Sequence, residues 1–233
     1  EIRSTETGLI FEVEDQTFKA GDKVKVEFRS PNFAGMSGFQ GTLSINNEEL
    51  RIENEIQAGS LKFNDQNIGK RWANEGIITM SWNEKTGIDI DSDKVLFTMT
   101  FKAEKDGKLS EVMRIGSQRT KAESYEGKGE LGNLSIRFTK NGKEVSGTNT
   151  LYQNYPNPFD QRTVIGINLA QSTQGVMKIT DIAGRVIRTI DREWSKGYNE
   201  IWLDKREVKA TGILYYSFES KEFKAVKKMI IME

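Results

Sequence analysis

The chain has 233 residues, with 34 Lys plus Arg against 34 Asp plus Glu, and contains neither His nor Cys. A formal charge of zero provides no global field to attract nucleic acid or an anionic membrane, so no nucleic-acid partner is expected. The missing His and Cys exclude disulfides, thiolate nucleophiles, Cys-ligated metals and the usual general base near neutral pH.

No apolar run approaches the roughly 20 residues that span a bilayer. The chain opens Glu1-Ile2-Arg3 with no initiator Met and no secretory signal. It therefore reads as a mature form or a piece of a longer protein. Taken in order, the elements read as strands. In Gly8–Glu14, Leu9, Phe11 and Val13 lie on one face and Glu12 and Glu14 on the other, the period-2 mark of a half-buried strand. A turn at 19–22 leads to residues 23–29, where Val24, Val26 and Phe28 alternate with Lys23, Lys25, Glu27 and Arg29. The two segments together predict a hairpin or a strand-turn-strand corner. Further strands are predicted at 39–45, 50–56, 76–82, 95–103 and 131–139, and no stretch carries a capped 3.6-residue period. Many short strands separated by turn signals predict an all-β protein of two β-sandwich domains. The mostly small and polar run at 143–150 marks a linker, giving domains 1–142 and 151–233.

The second domain opens Tyr155-Pro156-Asn157-Pro158-Phe159, where two prolines force an extended or turned entry and Tyr155 and Phe159 are apolar anchors. A strand with Ile165, Ile167 and Leu169 in phase follows, then a turn at 171–175 and a strand with Met177 and Ile179. Asp181-Ile182-Ala183-Gly184-Arg185 turns into a strand at 185–190. Gly197 breaks the chain before Ile201 and Leu203, Gly212 precedes an aromatic strand at 213–218, and Lys227-Lys228-Met229 begins the last strand, 227–232. This order of motifs resembles the type A sorting domains of the type IX secretion system over nearly all of 151–233. The departures are single residues: Thr180 and Asp160 stand where the family often has Tyr and Asn, and the aromatic triplet is Leu214-Tyr215-Tyr216. The resemblance implies a smaller, Ig-like sandwich that acts as a folded recognition surface. The partners it implies are the outer-membrane translocon, a shuttle barrel, and a surface transpeptidase that removes the domain and attaches the cargo to lipopolysaccharide.

Lys19-Ala20-Gly21-Asp22-Lys23-Val24, the Gly35–Leu43 run, 76–82 and 95–103 together resemble a cohesin or cohesin-like module. That implies a nine-stranded, jelly-roll-like sandwich whose ligand is a dockerin or a polysaccharide. The family's Tyr-Asp-Pro after the Phe39 strand is Ile45-Asn46-Asn47 here, so no contact residue carries over.

Three features compete with a purely structural reading. Asp89, Asp91 and Asp93 alternate as in calcium loops, but Lys94 and Thr100 occupy the sixth and twelfth positions where such a loop needs Gly and Glu. An exposed strand face or turn is the favoured reading, and no cofactor or metal is expected. Glu48, Glu49, Glu53 and Glu55 would need two carboxylates about 5 to 10 Å apart in a cleft to act as a glycosidase. Trp72 and Trp82 read as partly buried core residues before they read as a sugar platform. The chain is thus expected to be an exported, non-enzymatic cargo segment, with an adhesion or scaffolding module ahead of a sorting domain. The alternatives are the tail of a larger polysaccharide-degrading enzyme or a carbohydrate-binding module.

Overall fold

The computed structural model describes residues 8–46, 48–127, 130–145, 149–208 and 210–232, apart from the side chain of Asn54. The chain divides into two compact units, 1–145 and 146–233. Among the described residues no helix is long and apolar enough to cross a membrane.

Among the described residues the first unit contains nine strands of four residues or more. They are β1 (Gly8–Glu14), β2 (Lys23–Phe28), β3 (Met36–Ile45), β4 (Leu50–Ala58), β5 (Ile77–Ile88), β6 (Phe97–Ala103), β7 (Met113–Gly116), β8 (Glu123–Glu126) and β9 (Leu131–Lys140). One sheet runs β1-β9-β8-β3-β5, with β7 also on β3, and the other runs β2-β6-β4. One four-residue helix, α1 (Leu109–Val112), precedes β7.

Alternation dictates the facing of β1 and β2. Leu9, Phe11, Val13, Val24, Val26 and Phe28 are buried, while Lys23, Lys25 and Glu27 face water. The core between the sheets is aromatic. Phe28 and Phe63 each stack on Phe97, at 4.6 and 4.1 Å, and Phe11 meets Phe39 edge-on at 5.0 Å. Burying each such ring contributes about 1.5–3 kcal/mol. β1 and β2 do not form a hairpin. β1 pairs in parallel along its whole length with β9, and β2 pairs with β6. Only Glu12 and Arg29 exchange backbone bonds, at 2.8 and 2.9 Å, which makes the segment a corner between sheets. β3 departs from simple alternation because its outward Thr42 and Ser44 are also buried. Thr42 Oγ1 donates to Thr120 O and accepts the amides of Arg119 and Thr120, and Ser44 Oγ donates to Gln118, so the 117–121 loop covers them.

The second unit contains β10 (Arg162–Leu169), β11 (Thr173–Asp181), β12 (Val186–Trp194), β13 (Gly197–Asp204), α2 (Lys205–Val208), β14 (Gly212–Ser220) and β15 (Lys224–Ile231). β10 pairs with β13 and with Thr150–Leu151, and a four-stranded sheet runs β12-β11-β14-β15. Ile165, Ile167, Met177, Ile179, Trp194, Tyr216, Phe218, Met229 and Ile231 join the two sheets in one core.

Three predicted segments are redrawn. The turn expected at 171–175 is strand from Thr173, so Gly175 lies in a ladder opposite Arg192 and Ser220, where the Phe218 ring fills the space above it. The last strand starts at Lys224 and stops at Ile231. The run 143–150 is strand at both ends, since Lys143–Glu144 extends β9 and Thr150–Leu151 extends β10. Its residues 146–148 lie outside the described residues, as do Asn47 and the first seven residues of the domain set at 1–142.

Candidate functional site

The entry segment of the second unit joins its two sheets. Tyr155 exchanges backbone bonds with Val164 of β10, both at 2.9 Å. Four residues later, the Phe159 amide donates to Ile230 O at 3.0 Å, and the Met232 amide donates to Phe159 O at 2.8 Å. Asn157 Oδ1 accepts the Ile230 amide at 2.8 Å, and Gln153 Nε2 donates to Lys228 O at 2.8 Å. The outer edge of β15 is therefore covered from Lys228 onward by the chain's own entry, one way in which sheets avoid pairing with a foreign strand. The peptides before Pro156 and Pro158 are both cis. Phe159 is fully buried, so it is the anchor predicted from sequence, while Tyr155 is half-buried.

Beneath this segment lies a polar cluster that the motif alone does not show. The Asn154 amide donates to the Tyr216 hydroxyl, which donates to Tyr152 O, each at 2.8 Å. Asn154 Nδ2 donates to Pro156 O and to Thr163 Oγ1, at 3.1 and 2.9 Å. The buried Asn154 thus meets its hydrogen-bonding needs while fixing the path of the prolines. Its only signal in the sequence was its place directly before the Tyr-Pro motif.

The turn at Asp181 is held by one carboxylate. Its Oδ1 accepts the amides of Ala183 and Arg185 at 3.0 and 2.9 Å, and its Oδ2 accepts Arg185 Nε at 3.0 Å. The Arg185 amide is the main reason this carboxyl sits below the ordinary aspartate value, with the Ala183 amide and the Arg185 charge adding to it. Gly184 closes the turn at φ +80°, a conformation that residues with a Cβ rarely adopt. Gly197 and Gly212 open β13 and β14 with the same sign of φ. On β15, Met229 is buried in the core while Lys227 and Lys228 are exposed. The sequence-predicted sorting residues thus fall into four places: the entry laid on β15, the Asp181 turn, the starts of β13 and β14 at Gly197 and Gly212, and the interior of β15 at Lys227, Lys228 and Met229. None of them forms a catalytic constellation.

The candidates of the first unit separate. Asp89 Oδ1 accepts the Gly35 amide at 2.7 Å, Asp93 takes Lys94 at 3.0 Å, and the Asp93 carbonyl accepts Arg29. Among the described residues no group of three or more acids is placed to hold a metal ion. Glu53 and Glu55 both pair with Lys23, at 3.2 and 3.3 Å, Glu48 pairs with Lys105, and Glu49 accepts Asn46 Nδ2. Trp82 is core, whereas Trp72 is half-buried with the Arg119 guanidinium 4.5 Å above its ring.

A polar network on the β3-β8 face had no signal in the sequence. Glu123 accepts Lys121 at 2.5 Å, the Tyr125 hydroxyl at 3.0 Å and Gln40 Nε2 at 3.4 Å. Burial pushes this carboxyl up, but the bonds from Lys121 and Tyr125 outweigh it and hold the group below the ordinary glutamate value.

Comparison with known proteins places both units. A family described as cohesin domain matches residues 10–154, more than half of the chain, and one described as secretion system C-terminal sorting domain matches 153–232. No curated protein matches the chain. Similar solved structures include two type I cohesin–dockerin complexes from Clostridium thermocellum. They are 15% and 14% identical, cover 57% and 60% of this chain and 100% and 99% of those chains, and both have a TM-score of 0.42. A type II cohesin domain from the cellulosome of Acetivibrio cellulolyticus is 15% identical, covers 56% of this chain and 92% of that chain, and has a TM-score of 0.37. The chain belongs to the cohesin domain family, and its C-terminal type IX sorting domain marks it for export across the outer membrane to the cell surface or beyond.

Proposed function

We propose that this chain is a non-catalytic cargo segment, carried out of the cell by its second unit so that the first unit works as a binding module at the surface. The observation that carries this reading is the succession of a cohesin domain and a sorting domain in one chain. The second unit supports it by geometry, because its motif residues build the fold, with Phe159 and Met229 in the core and the entry bonded to β15. Five candidate acids of the first unit support the non-catalytic reading, since Glu48, Glu53 and Glu55 are tied to lysines, and Glu49 and Asp89 to amide groups.

The ligand class proposed for the first unit is a dockerin, the partner named in the cohesin complexes above. The β3-β8 face offers it a polar centre, in which Glu123 accepts bonds from Tyr125, Gln40 and Lys121. Calorimetry with a purified type I dockerin tests this. Saturable binding that Tyr125→Ala weakens at least tenfold supports the assignment. Absence of binding, or binding that Tyr125→Ala leaves unchanged, contradicts it. For the export role, the test is the surface-exposed fraction of the chain in a cell with a type IX system.

A further inference from the structure

Of the eight large apolar side chains exposed among the described residues, seven lie in the second unit. Five of them, Ile182, Val186, Ile213, Tyr215 and Val226, belong to the sheet β12-β11-β14-β15 and its first turn, and are 39% to 76% exposed. The ladder registers put four of the five, Val186, Ile213, Tyr215 and Val226, on one face, and Ile182 stands in the turn beyond the end of β11. Val186 stands opposite Thr180, Thr180 opposite Tyr215, and Tyr215 opposite Lys228. In the next row Thr189, Lys178, Ser217 and Val226 are opposed in turn, and on the other side Ile213 faces Ile230. Directly opposed residues share a face and stand about 4.5–5.5 Å apart, so the row is continuous.

The charge on these rows has one sign. Their ionised side chains are Lys178 and Lys228, both exposed. Along the strands acids appear one row further, where Glu219 is tied to Lys224 at 3.2 Å and Asp191 accepts Gln174 at 2.7 Å, and in the turn Asp181 is tied to Arg185 at 3.0 Å. A contiguous exposed apolar patch marks an interaction site. An apolar centre with a charged rim is the anatomy of a protein–protein interface.

Resting on the sorting reading above, we infer that the outer face of β11, β14 and β15, centred on Tyr215, is the surface the export machinery grips. Its partner is a protein with an apolar surface flanked by carboxylates. Lys178 and Lys228 select that partner, and Tyr215, Ile213 and Val226 supply the buried contact. The side chains point away from the core of the unit, so changing them leaves the fold intact.

The test expresses the full chain in a cell with a type IX system and measures its surface-exposed fraction. Two double variants alter the face, Tyr215→Thr with Val226→Thr and Lys178→Glu with Lys228→Glu. Trp202→Ser changes an exposed apolar residue on the other sheet. Thermal unfolding of each purified chain reports folding. The expected result is a surface fraction at least tenfold lower for both face variants, with Trp202→Ser exported as the parent and all transitions unmoved. If the parent is not exported, the sorting reading fails. If the parent and the charge-reversed variant are exported alike, the face assignment fails and the sorting reading stands. Binding of the purified chain to vesicles of anionic phospholipid, or a dimer in sedimentation, that the Tyr215 variant abolishes would also overturn the assignment. Those results would give the face to a lipid surface or to a second copy.

Discussion

The side chain of Asn157, in the segment that opens the sorting unit, accepts the backbone amide of Ile230 in its last strand, 73 residues away, at 2.8 Å. The bond makes the unit's beginning part of its end. In the folded unit the entry rests on the edge of β15, and the outward backbone groups of Lys228, Ile230 and Met232 find their partners in the entry.

Asn157→Ala removes the acceptor and leaves a half-buried amide on an otherwise closed edge. A hydrogen bond of this kind contributes about 1 kcal/mol, a factor of roughly five in the opening equilibrium. Native-state hydrogen exchange is expected to show the Ile230 amide exchanging about fivefold faster, with amides of β1 to β9 unchanged. Unaltered exchange at Ile230 would show that the edge is held without Asn157.

Gly175 is the second point of tension in the same unit. A Cβ there would stand 2.5 Å from Phe218 Cζ, and its carbonyl accepts Trp194 Nε1 at 2.9 Å. Phe218 is fully buried against Trp194, so its ring has nowhere to move. Gly175→Ala is expected to destabilise the sorting unit by about 1–3 kcal/mol in denaturant unfolding, the usual cost of overpacking. A neutral outcome would mean that the Phe218 ring shifts freely.

The Asp181 turn predicts a pH dependence with a definite sign. Its carboxyl is held below the ordinary aspartate value in the folded state, chiefly by the Arg185 amide. Its contribution is therefore fully present above the unfolded value and is lost as pH falls through the lower, folded one. The difference in thermal midpoint between the parent chain and Asp181→Asn is expected to be constant at neutral pH and to shrink in acid, below the usual carboxylate range. A difference that grows in acid would contradict the assignment.

How much of this was legible in the sequence follows from where alternation holds. β1, β2 and the second half of β15 have one wet and one dry face, so their period-2 patterns place Leu9, Phe11, Val24, Val26, Met229 and Ile231 in the cores where they are found. β3 breaks the pattern because Thr42 and Ser44 are buried under a loop more than seventy residues away. β7 and β8 were missed because each has four residues, too short for a periodic signal. The hairpin alternative for β1 and β2 failed because pairing with β9 is decided by the whole sandwich and not by the short turn between neighbours. In the sorting unit the order of prolines, glycines and aromatics was visible. The Asn154–Tyr216 contact and the closure of β15 were not, because both join residues at opposite ends of the unit.

The central claim is that the sorting unit acts as a folded surface completed by its last strand. Ending the chain after Val226 removes Met229 and Ile231, whose burial contributes about 1.5–3 kcal/mol each. It also strips the ladder from Gly212 to Tyr216 of β14 and removes both backbone partners of Phe159. Against a typical total of about 5–15 kcal/mol, that loss leaves the unit unfolded or nearly so. The decisive measurement is the surface-exposed fraction of the full chain and of the chain ending at Val226, in the same type IX-competent cells. The full chain should reach the surface and the shortened one should stay in the periplasm. Equal surface delivery of both would contradict the claim.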